Sequence, residues 1–392
     1  MNQNRTIALI PNFAIKFSSD ELFIPPPDGR LVDELSDHGW LVKLVSFFVQ
    51  KDDEFSGHRI SASSSSRVVP VKLSSLNPKS RLSKTKAYFF ALFALFGQVF
   101  GKSDITYIYF PGNINTVAAL LCILFRRKYA LYVRGIWQEK GAIRWLYGFV
   151  FKKAQFVYAT GVGFCDTLSK YNENVEPVSP MISLTDRLSA KTSNAEQKTH
   201  GSKLLFVGHI KESKGVFDVV GAVRELRRKE YDVSLDIVGG GADALVSRLK
   251  EEIDCPELHA DVNYFGQIND PDSLQRIFRS ADIFVYPSYY PEGFPRVVYE
   301  AMMSGLAVVC TILPGMKGFM VDGENCMEVS AQAQSQLAGK LELLINDHPY
   351  TESLQERGLA DVKRYFSQFD GKTHAQQLMS KLEKFSGQQK QV

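Results

Sequence analysis

Two glutamates with seven residues between them, Glu292 and Glu300, lie in the stretch DIFVYPSYYPEGFPRVVYEAMMSGLAVVCT, Asp282 to Thr311. A buried strand there leads through an aromatic, proline-rich loop into a helix. Ligands of open α/β sheets bind beyond the carboxyl ends of strands, and a helix N-terminus offers N–H groups and a favourable dipole to a phosphate. Gly293 permits close backbone approach, Pro295 suits a first helical turn and Gly305 a helix exit. Glu300, inside the helix, can accept hydrogen bonds from a ribose diol, whereas Glu292, in the loop, can face a sugar hydroxyl or a developing cation. The plainer alternative makes both ordinary cap and surface charges. Against it, an unpaired carboxylate amid an apolar helix face is expensive.

A second candidate is KLLFVGHIKESKGVFDVV, Lys203 to Val220, which reads as strand, loop and helix, the loop holding Gly208, Lys211, Lys214 and Gly215. Two lysines beside a helix N-terminus can neutralise a diphosphate, and the glycine after Lys214 lets the loop turn. A solvated charged loop is the competing reading.

The elements that must position these loops alternate along the chain. TIALIPN, WLVKLVSFF, ITYIYFP, KYALYVRG and QFVYATG are strand-like and are separated by helix-like segments such as RLVDELSDHG, TVAALLCILF and AIRWLYGFVFKK. The expected result is a parallel sheet. Residues 50–86 are rich in Ser, Lys and Arg and read as a long surface excursion with one short strand at RVVPVKL, followed by a helix around Tyr88–Phe100. The pattern stops between about Glu176 and Ser202, where the domain linker is placed. A second, more regular series follows from KLLFVGH to LAVVCT, and the last sixty or so residues read as helices. Expected boundaries are 1–178 for an N-terminal Rossmann-like domain, 203–365 for a C-terminal one, and 366–392 for a helix and tail.

Bulk properties narrow the functional classes. A chain of 392 residues with 45% hydrophobic and 23% charged residues is a folded protein of two-domain size, and a net charge of +3 gives no case for nucleic acid. Cys122, Cys165, Cys255, Cys310 and Cys326 form no C-x-x-C pair, so neither zinc nor a disulfide framework is indicated. His58, His259 and His348 lack ligand spacing. The N-terminus lacks a signal-peptide pattern, and the most apolar run, Ala87 to Phe100, is well short of the roughly 20 residues that span a bilayer. A cytoplasmic protein is expected. RLSKTKAYFFALFALFGQVF and IRWLYGFVFKK combine cations with aromatics, which raises contact with the inner membrane surface as a hypothesis beside the reading of both as core helices.

The motif E-GFPRVVY-E at Glu292–Glu300, the VGH…KG loop at Gly208–Gly215, the DIVGGG turn at Asp236–Gly241, and the VDGENCMEV turn at Val321–Val329 resemble the retaining GT-B glycosyltransferases of group 1, also called glycosyltransferase family four. The likeness covers about Lys203 to Ser367. It implies two Rossmann-like domains facing each other across a cleft, with C-terminal helices packing back toward the N-terminal domain. It also implies transfer of a sugar from a UDP- or GDP-sugar to a glycan or lipid-linked saccharide, with retention of configuration and without metal or other cofactor. By this resemblance Lys214 contacts the donor pyrophosphate and Glu300 the ribose. Glu292 and the Gly293–Phe294–Pro295–Arg296 backbone hold donor sugar and phosphates, with Gly208, His209 and Lys211 lining the same donor site, and Glu292 and Lys214 are the catalytic pair. Bacterial surface-polysaccharide assembly, such as O-antigen or capsule, is the setting the family suggests.

Three positions depart from the family pattern. His209 stands where Arg is usual, with Lys211 as a neighbouring cation, and Cys326 replaces the final glycine of the DG-x-NG turn. The usual acceptor-side His or Asp is missing near KYALYVRG, where Arg134, Gly135 and Trp137 stand. Arg134 and Trp137 are therefore the acceptor-side candidates, with an ion pair on the surface as the alternative for Arg134. A GT-B-shaped sugar-nucleotide epimerase, a two-domain solute-binding protein and a non-catalytic transferase-like subunit supporting a partner remain alternatives.

Overall fold

Strands covered on both faces of a parallel sheet are apolar throughout, and TIALI and ITYIYF are buried at every position. The computed structural model describes residues 5–13, 15–18, 21–49, 58–60, 67–75, 95–97, 101, 103–135, 141–181, 202–290 and 292–387. The chain forms two units, Met1–Ile182 together with Phe369–Val392, and Ser183–Gln368. It thus returns to the first unit at Phe369. The segment read as the interdomain linker lies mostly outside the described residues, as does the helix expected around Tyr88–Phe100 apart from residues 95–97.

The first unit is built on ten described strands: β1 (Thr6–Ile10), β2 (Ile15–Ser18), β3 (Glu21–Ile24), β4 (Leu41–Val49), β5 (His58–Arg59), β6 (Val68–Ser75), β7 (Ile105–Phe110), β8 (Tyr129–Val133), β9 (Val157–Ala159) and β10 (Val175–Pro177). Their order is β10-β9-β8-β7-β1-β4-β2-β3-β5, with β6 also paired to β4. Ile7 of the central β1 lies opposite Val42 on one side and Ile105 on the other, parallel to both. The RVVPVKL strand forms as β6. The β2-β3-β5 edge is antiparallel between β2 and β3 and between β3 and β5. Its strands of two to four residues are too short to show a period in the sequence.

Helices α1 (Pro26–Asp37), α2 (Asn113–Leu124), α3 (Gly141–Lys153) and α4 (Val162–Leu168) cover this sheet. One core contains α1 residues with Ala375, Leu378, Met379 and Leu382 of the C-terminal helix His374–Gly387; the other contains residues of α2, α3 and α4. The Leu and Met side chains that the C-terminal helix buries contribute roughly 1.5–3 kcal/mol each before entropy is counted. Gln377 adds two tethers: its Oε1 accepts the Ser179 N–H at 2.8 Å, and its carbonyl accepts the Tyr158 hydroxyl at 3.1 Å. Among the described residues no helix is long and apolar enough to cross a membrane.

The second unit has a parallel sheet of β11 (Ser202–Val207), β12 (Val233–Val238), β13 (Val262–Tyr264), β14 (Ile283–Tyr286), β15 (Ala307–Cys310) and β16 (Met327–Glu328), ordered β13-β12-β11-β14-β15-β16. Its helices are α5 (Val216–Arg228), α6 (Asp243–Ile253), α7 (Pro271–Ser280), α8 (Arg296–Met303), α9 (Gln334–Asn346) and α10 (His348–Ser367). In α5, Val216, Val219, Val220, Val223 and Leu226 recur at helical spacing and are all buried. Helix α7 starts where Asp270 accepts the Ser273 N–H at 2.8 Å, just before Pro271. The chain winds outward from β11 in both directions, so the β11/β14 boundary is the topological switch point, where ligands of such sheets bind. In the VDGENCMEV turn, Asp322 accepts the Glu328 N–H at 2.7 Å and Asn325 accepts the Val321 N–H at 2.9 Å. Cys326 lies outside the left-handed region, so the turn needs no glycine there. Its thiol is buried beside Cys310, and the contact between the two sulfurs together with burial pushes the Cys310 thiol well up.

Candidate active site

Both loops singled out in the sequence leave the carboxyl ends of the switch-point strands, one after β11 and one after β14. Gly215 holds φ +76°, and a Cβ there would come within 2.6 Å of the Pro287 carbonyl oxygen, so only glycine lets the loops approach this closely. The Tyr289 N–H completes the junction by donating to Ser213 O at 2.9 Å. A single 3₁₀ turn, Glu212–Lys214, then carries Lys214 inward until it is 7% exposed.

The buried ammonium finds three partners on the β14 side. Lys214 Nζ lies 2.5 Å from Glu292 Oε1 and donates to the Tyr286 hydroxyl at 2.8 Å, which in turn donates to the same Glu292 oxygen at 3.0 Å. Ser288 Oγ lies 3.3 Å from that oxygen and accepts the Tyr290 N–H at 3.3 Å. The Tyr290 ring sits near both cations, its centroid 4.7 Å from Lys214 Nζ and 5.2 Å from Lys211 Nζ. Burial lowers the Lys214 pKa and nearby Lys211 adds to this, while Glu292 opposes both. Burial, then Glu292, raises the Tyr286 phenol far beyond its usual range, which keeps it a neutral donor. The result is a preorganised cation held by a carboxylate, at a place where a diphosphate can take over as its counter-ion.

Other parts of the loops are set by close backbone contact. Gly239 has φ +148°, and a Cβ on it would fall 1.9 Å from Gly208 O. The Gly208 N–H donates to Val238 O and the Ile210 N–H to Gly240 O, each at 2.9 Å. The DIVGGG turn therefore braces the VGH loop. His209 is exposed, with Nδ1 3.3 Å from Gly240 O, and Lys211 is exposed beside it. Gly293 is clamped from behind by Gly315, whose added Cβ would approach the Gly293 carbonyl carbon to 2.6 Å. Phe294 turns its ring into the core, stacked on Tyr299 at 3.7 Å between centroids, which leaves its backbone for any ligand. Pro295 is the N-cap residue of α8 and supplies no side-chain cap to the first-turn N–H groups, and Arg296 opens the helix exposed to solvent.

Lys214 and Glu292 are thus brought together, with Lys211 nearby. Glu300 is half-buried and lines a crevice with Leu274, Gln275, Phe278, Met303 and Ser304 between α7 and α8. Tyr286, Ser288 and Tyr290 were not singled out in the sequence. Tyr286 and Ser288 were accessible to an alternation argument, since positions i and i+2 at a strand end share a face.

In the first unit Arg134, at the carboxyl end of β8, pairs with Asp28 at 3.0 Å and lies over the rings of Tyr109 and Tyr132, 5.4 and 5.6 Å from their centroids. Asp28 is 2% exposed, so this is no surface pair. Burial lowers the guanidinium pKa, but Asp28 and the tyrosines outweigh it and raise the net value. Beside this cluster, His374 Nε2 meets the Tyr107 hydroxyl at 2.8 Å, while the buried His374 Nδ1 has no hydrogen-bond partner among the described residues. Burial and then the Arg134 charge push His374 down to about 3, so it is neutral at physiological pH. Trp137 lies outside the described residues.

Comparison with known proteins agrees with the geometry of the second unit. Residues 190–360, less than half of the chain, match the family model of glycosyl transferases group 1. A D-inositol 3-phosphate glycosyltransferase of Arthrobacter sp. (strain FB24) is 34% identical over 146 residues, which are 37% of this chain and 34% of that one. The lipopolysaccharide 1,2-N-acetylglucosaminetransferase of Salmonella typhimurium is 27% identical over 211 residues, 52% of this chain and 47% of the other. The chain thus spans less than half the length of these curated relatives. Sucrose-phosphate synthase from Thermosynechococcus elongatus superposes with TM-score 0.70 at 17% identity, over 98% of this chain and 100% of that one. An Anabaena protein solved with UDP gives TM-score 0.64 at 16% identity, over 97% and 100% of the two chains. The fold is that of the GT-B glycosyltransferases.

Proposed function

We propose that this protein transfers a sugar from a nucleotide-diphosphate donor, a UDP- or GDP-sugar, to a glycan or lipid-linked saccharide, with retention of configuration. The observation that carries the reading is the buried Lys214, paired with Glu292 at the switch point of the second unit. A donor diphosphate placed against Lys214 and the first turn of α8 exchanges one counter-ion of the lysine for another. Glu292 keeps the Tyr286 and Ser288 contacts during that exchange. Charge that develops on the leaving nucleoside diphosphate then meets a fixed cation and helix dipole, the arrangement that lowers a barrier most. Because these groups supply the positive charge, the reading requires no divalent metal.

In the reaction the bond from the anomeric carbon to the phosphate oxygen breaks, and the acceptor oxygen bonds to that carbon on the same face. A donor phosphate oxygen takes the acceptor proton. Glu292 faces the sugar, Glu300 the ribose, and His209 and Lys211 the outer phosphate oxygens. Acceptor binding is assigned to the first unit through Arg134 and Trp137. Cytoplasmic assembly of a bacterial surface polysaccharide is the setting proposed, consistent with the Salmonella lipopolysaccharide enzyme among the relatives.

The test is to incubate the full chain with UDP- and GDP-sugars, in EDTA, with and without short saccharide and lipid-linked acceptors, and to follow product by NMR. Acceptor-dependent product with the donor's anomeric configuration supports the reading. Conversion of donor alone identifies an epimerase, and no turnover with any pair identifies a non-catalytic subunit.

A further inference from the structure

Among the described residues, helix α3 packs one face against the core. Val150 and Phe151 lie in the core and Tyr147 packs against it, whereas Trp145, Phe149 and Lys152, four and three residues apart, fall on the opposite stripe with Lys153 beside them. Trp145 is 85% exposed, and Ile143 and Phe149 on the same helix are also well exposed. A single exposed apolar side chain is ordinary, but Trp145 and Phe149 lie one turn apart on the same stripe and form a continuous apolar strip, whereas Ile143 falls on the stripe of Tyr147 and Val150. Helices α2 and α3 are consecutive crossovers on one face of the sheet, both antiparallel to its strands. The exposed Leu124 at the end of α2 therefore shares an edge with Lys152 and Lys153 at the end of α3.

The charge of this region is as uneven as its polarity. Between Asp104 and Asp166 the sequence has eight lysines and arginines and one carboxylate, Glu139, although the whole chain carries only +3, so the remainder is net acidic. Arg126, Lys128, Lys152 and Lys153 are exposed. Aromatic rings on a helix face bordered by solvent-facing lysines match the chemistry of an anionic bilayer surface: the rings settle at headgroup depth and the ammonium groups sit on lipid phosphates. We propose that α3, with the C-terminal end of α2, docks this protein on the surface of a membrane rich in anionic lipid.

The experiment is flotation of the full chain with vesicles of phosphatidylcholine alone or mixed with phosphatidylglycerol, without nucleotide, so the outcome does not depend on the transferase reading. Binding is expected to the anionic vesicles, weakening with added salt. Each lysine at an anionic surface is worth about a fivefold change in partition, so Lys152→Glu with Lys153→Glu should lower binding at least about 25-fold. Trp145→Ala with Phe149→Ala should lower it to a similar degree and abolish quenching of tryptophan emission by brominated lipid. Thermal unfolding should be unchanged in both variants, since the side chains are solvent-facing. Failure to bind either vesicle, or binding that survives both double substitutions, overturns the proposal. So does self-association of the wild type, seen by sedimentation, that the variants abolish in the absence of vesicle binding.

Discussion

Replacing Lys214 with methionine removes the cation on which the donor site is built while keeping most of the side-chain volume. Cutting one member from a buried ion pair costs roughly 3–5 kcal/mol, because the partner charge is stranded. Here the partner is not fully stranded: the Glu292 side chain is 22% exposed and keeps the Tyr286 hydroxyl at 3.0 Å. The loss should therefore fall to about 1–3 kcal/mol. For a unit of this size each kcal/mol moves the melting temperature by roughly 2–4 °C, so a decrease of about 2–12 °C is expected in scanning calorimetry or by circular dichroism. Function should suffer far more, since loss of one preorganised charge-stabilising group lowers turnover by about 10²–10³. A Lys214→Met protein that melts within this range yet turns over donor within about threefold of wild type would refute the catalytic assignment. An unchanged melting temperature would refute the claim that Glu292 depends on the pair.

Other substitutions and conditions test separate parts of the structure. His374 is held neutral, with a pKa of about 3 against an ordinary 6.5. The unfolded chain thus binds the extra proton between those values, and the stabilisation present above pH 6.5 is lost as pH falls. At pH 5 the loss is about 2 kcal/mol, and urea melts of wild type and His374→Gln between pH 7 and 5 should show the slope only in wild type. Gly239→Ala forces a Cβ into Gly208 O at φ +148°, so a loss of at least about 3 kcal/mol is expected and a wild-type melting curve would contradict the loop geometry. Leu378→Ala removes a side chain with no solvent exposure from the C-terminal helix and should cost about 2–5 kcal/mol in denaturant unfolding. A loss below about 0.5 kcal/mol would mean that the helix does not anchor there. Asp28→Ala leaves the Arg134 guanidinium without its carboxylate and should destabilise by about 2–4 kcal/mol, whereas a neutral result would place Arg134 in solvent.

Much of the architecture was legible because parallel strands and amphipathic helices write their periods into sequence. The runs TIALI, ITYIYF and DIFVYPS and the spacing of Val216, Val219, Val220 and Val223 needed no tertiary information. The loops after β11 and β14 were likewise legible as strand-to-helix loops, from Lys214–Gly215 and from Glu292–Gly293 before a helix. What the residue patterns by themselves could not show, and only the family resemblance implied, is that these loops meet. Lys214 and Glu292 are 78 residues apart, and their contact follows from strand order, which places β14 beside β11. The same holds for Asp28 and Arg134, 106 residues apart, and for His374, which reaches Tyr107 across 267. The short β2-β3-β5 edge escaped because two to four residues carry no period.

The central claim is that Lys214 and its neighbours form a metal-independent site for a nucleoside diphosphate. Isothermal titration of UDP and GDP into wild-type and Lys214→Met protein, both in EDTA, tests it most directly. Wild type is expected to bind at least one of the two saturably, and the substitution to weaken that binding at least about tenfold, as for loss of a charge-assisted contact of about 1.5–3 kcal/mol. Absence of binding by wild type, or equal binding by both proteins, would contradict it.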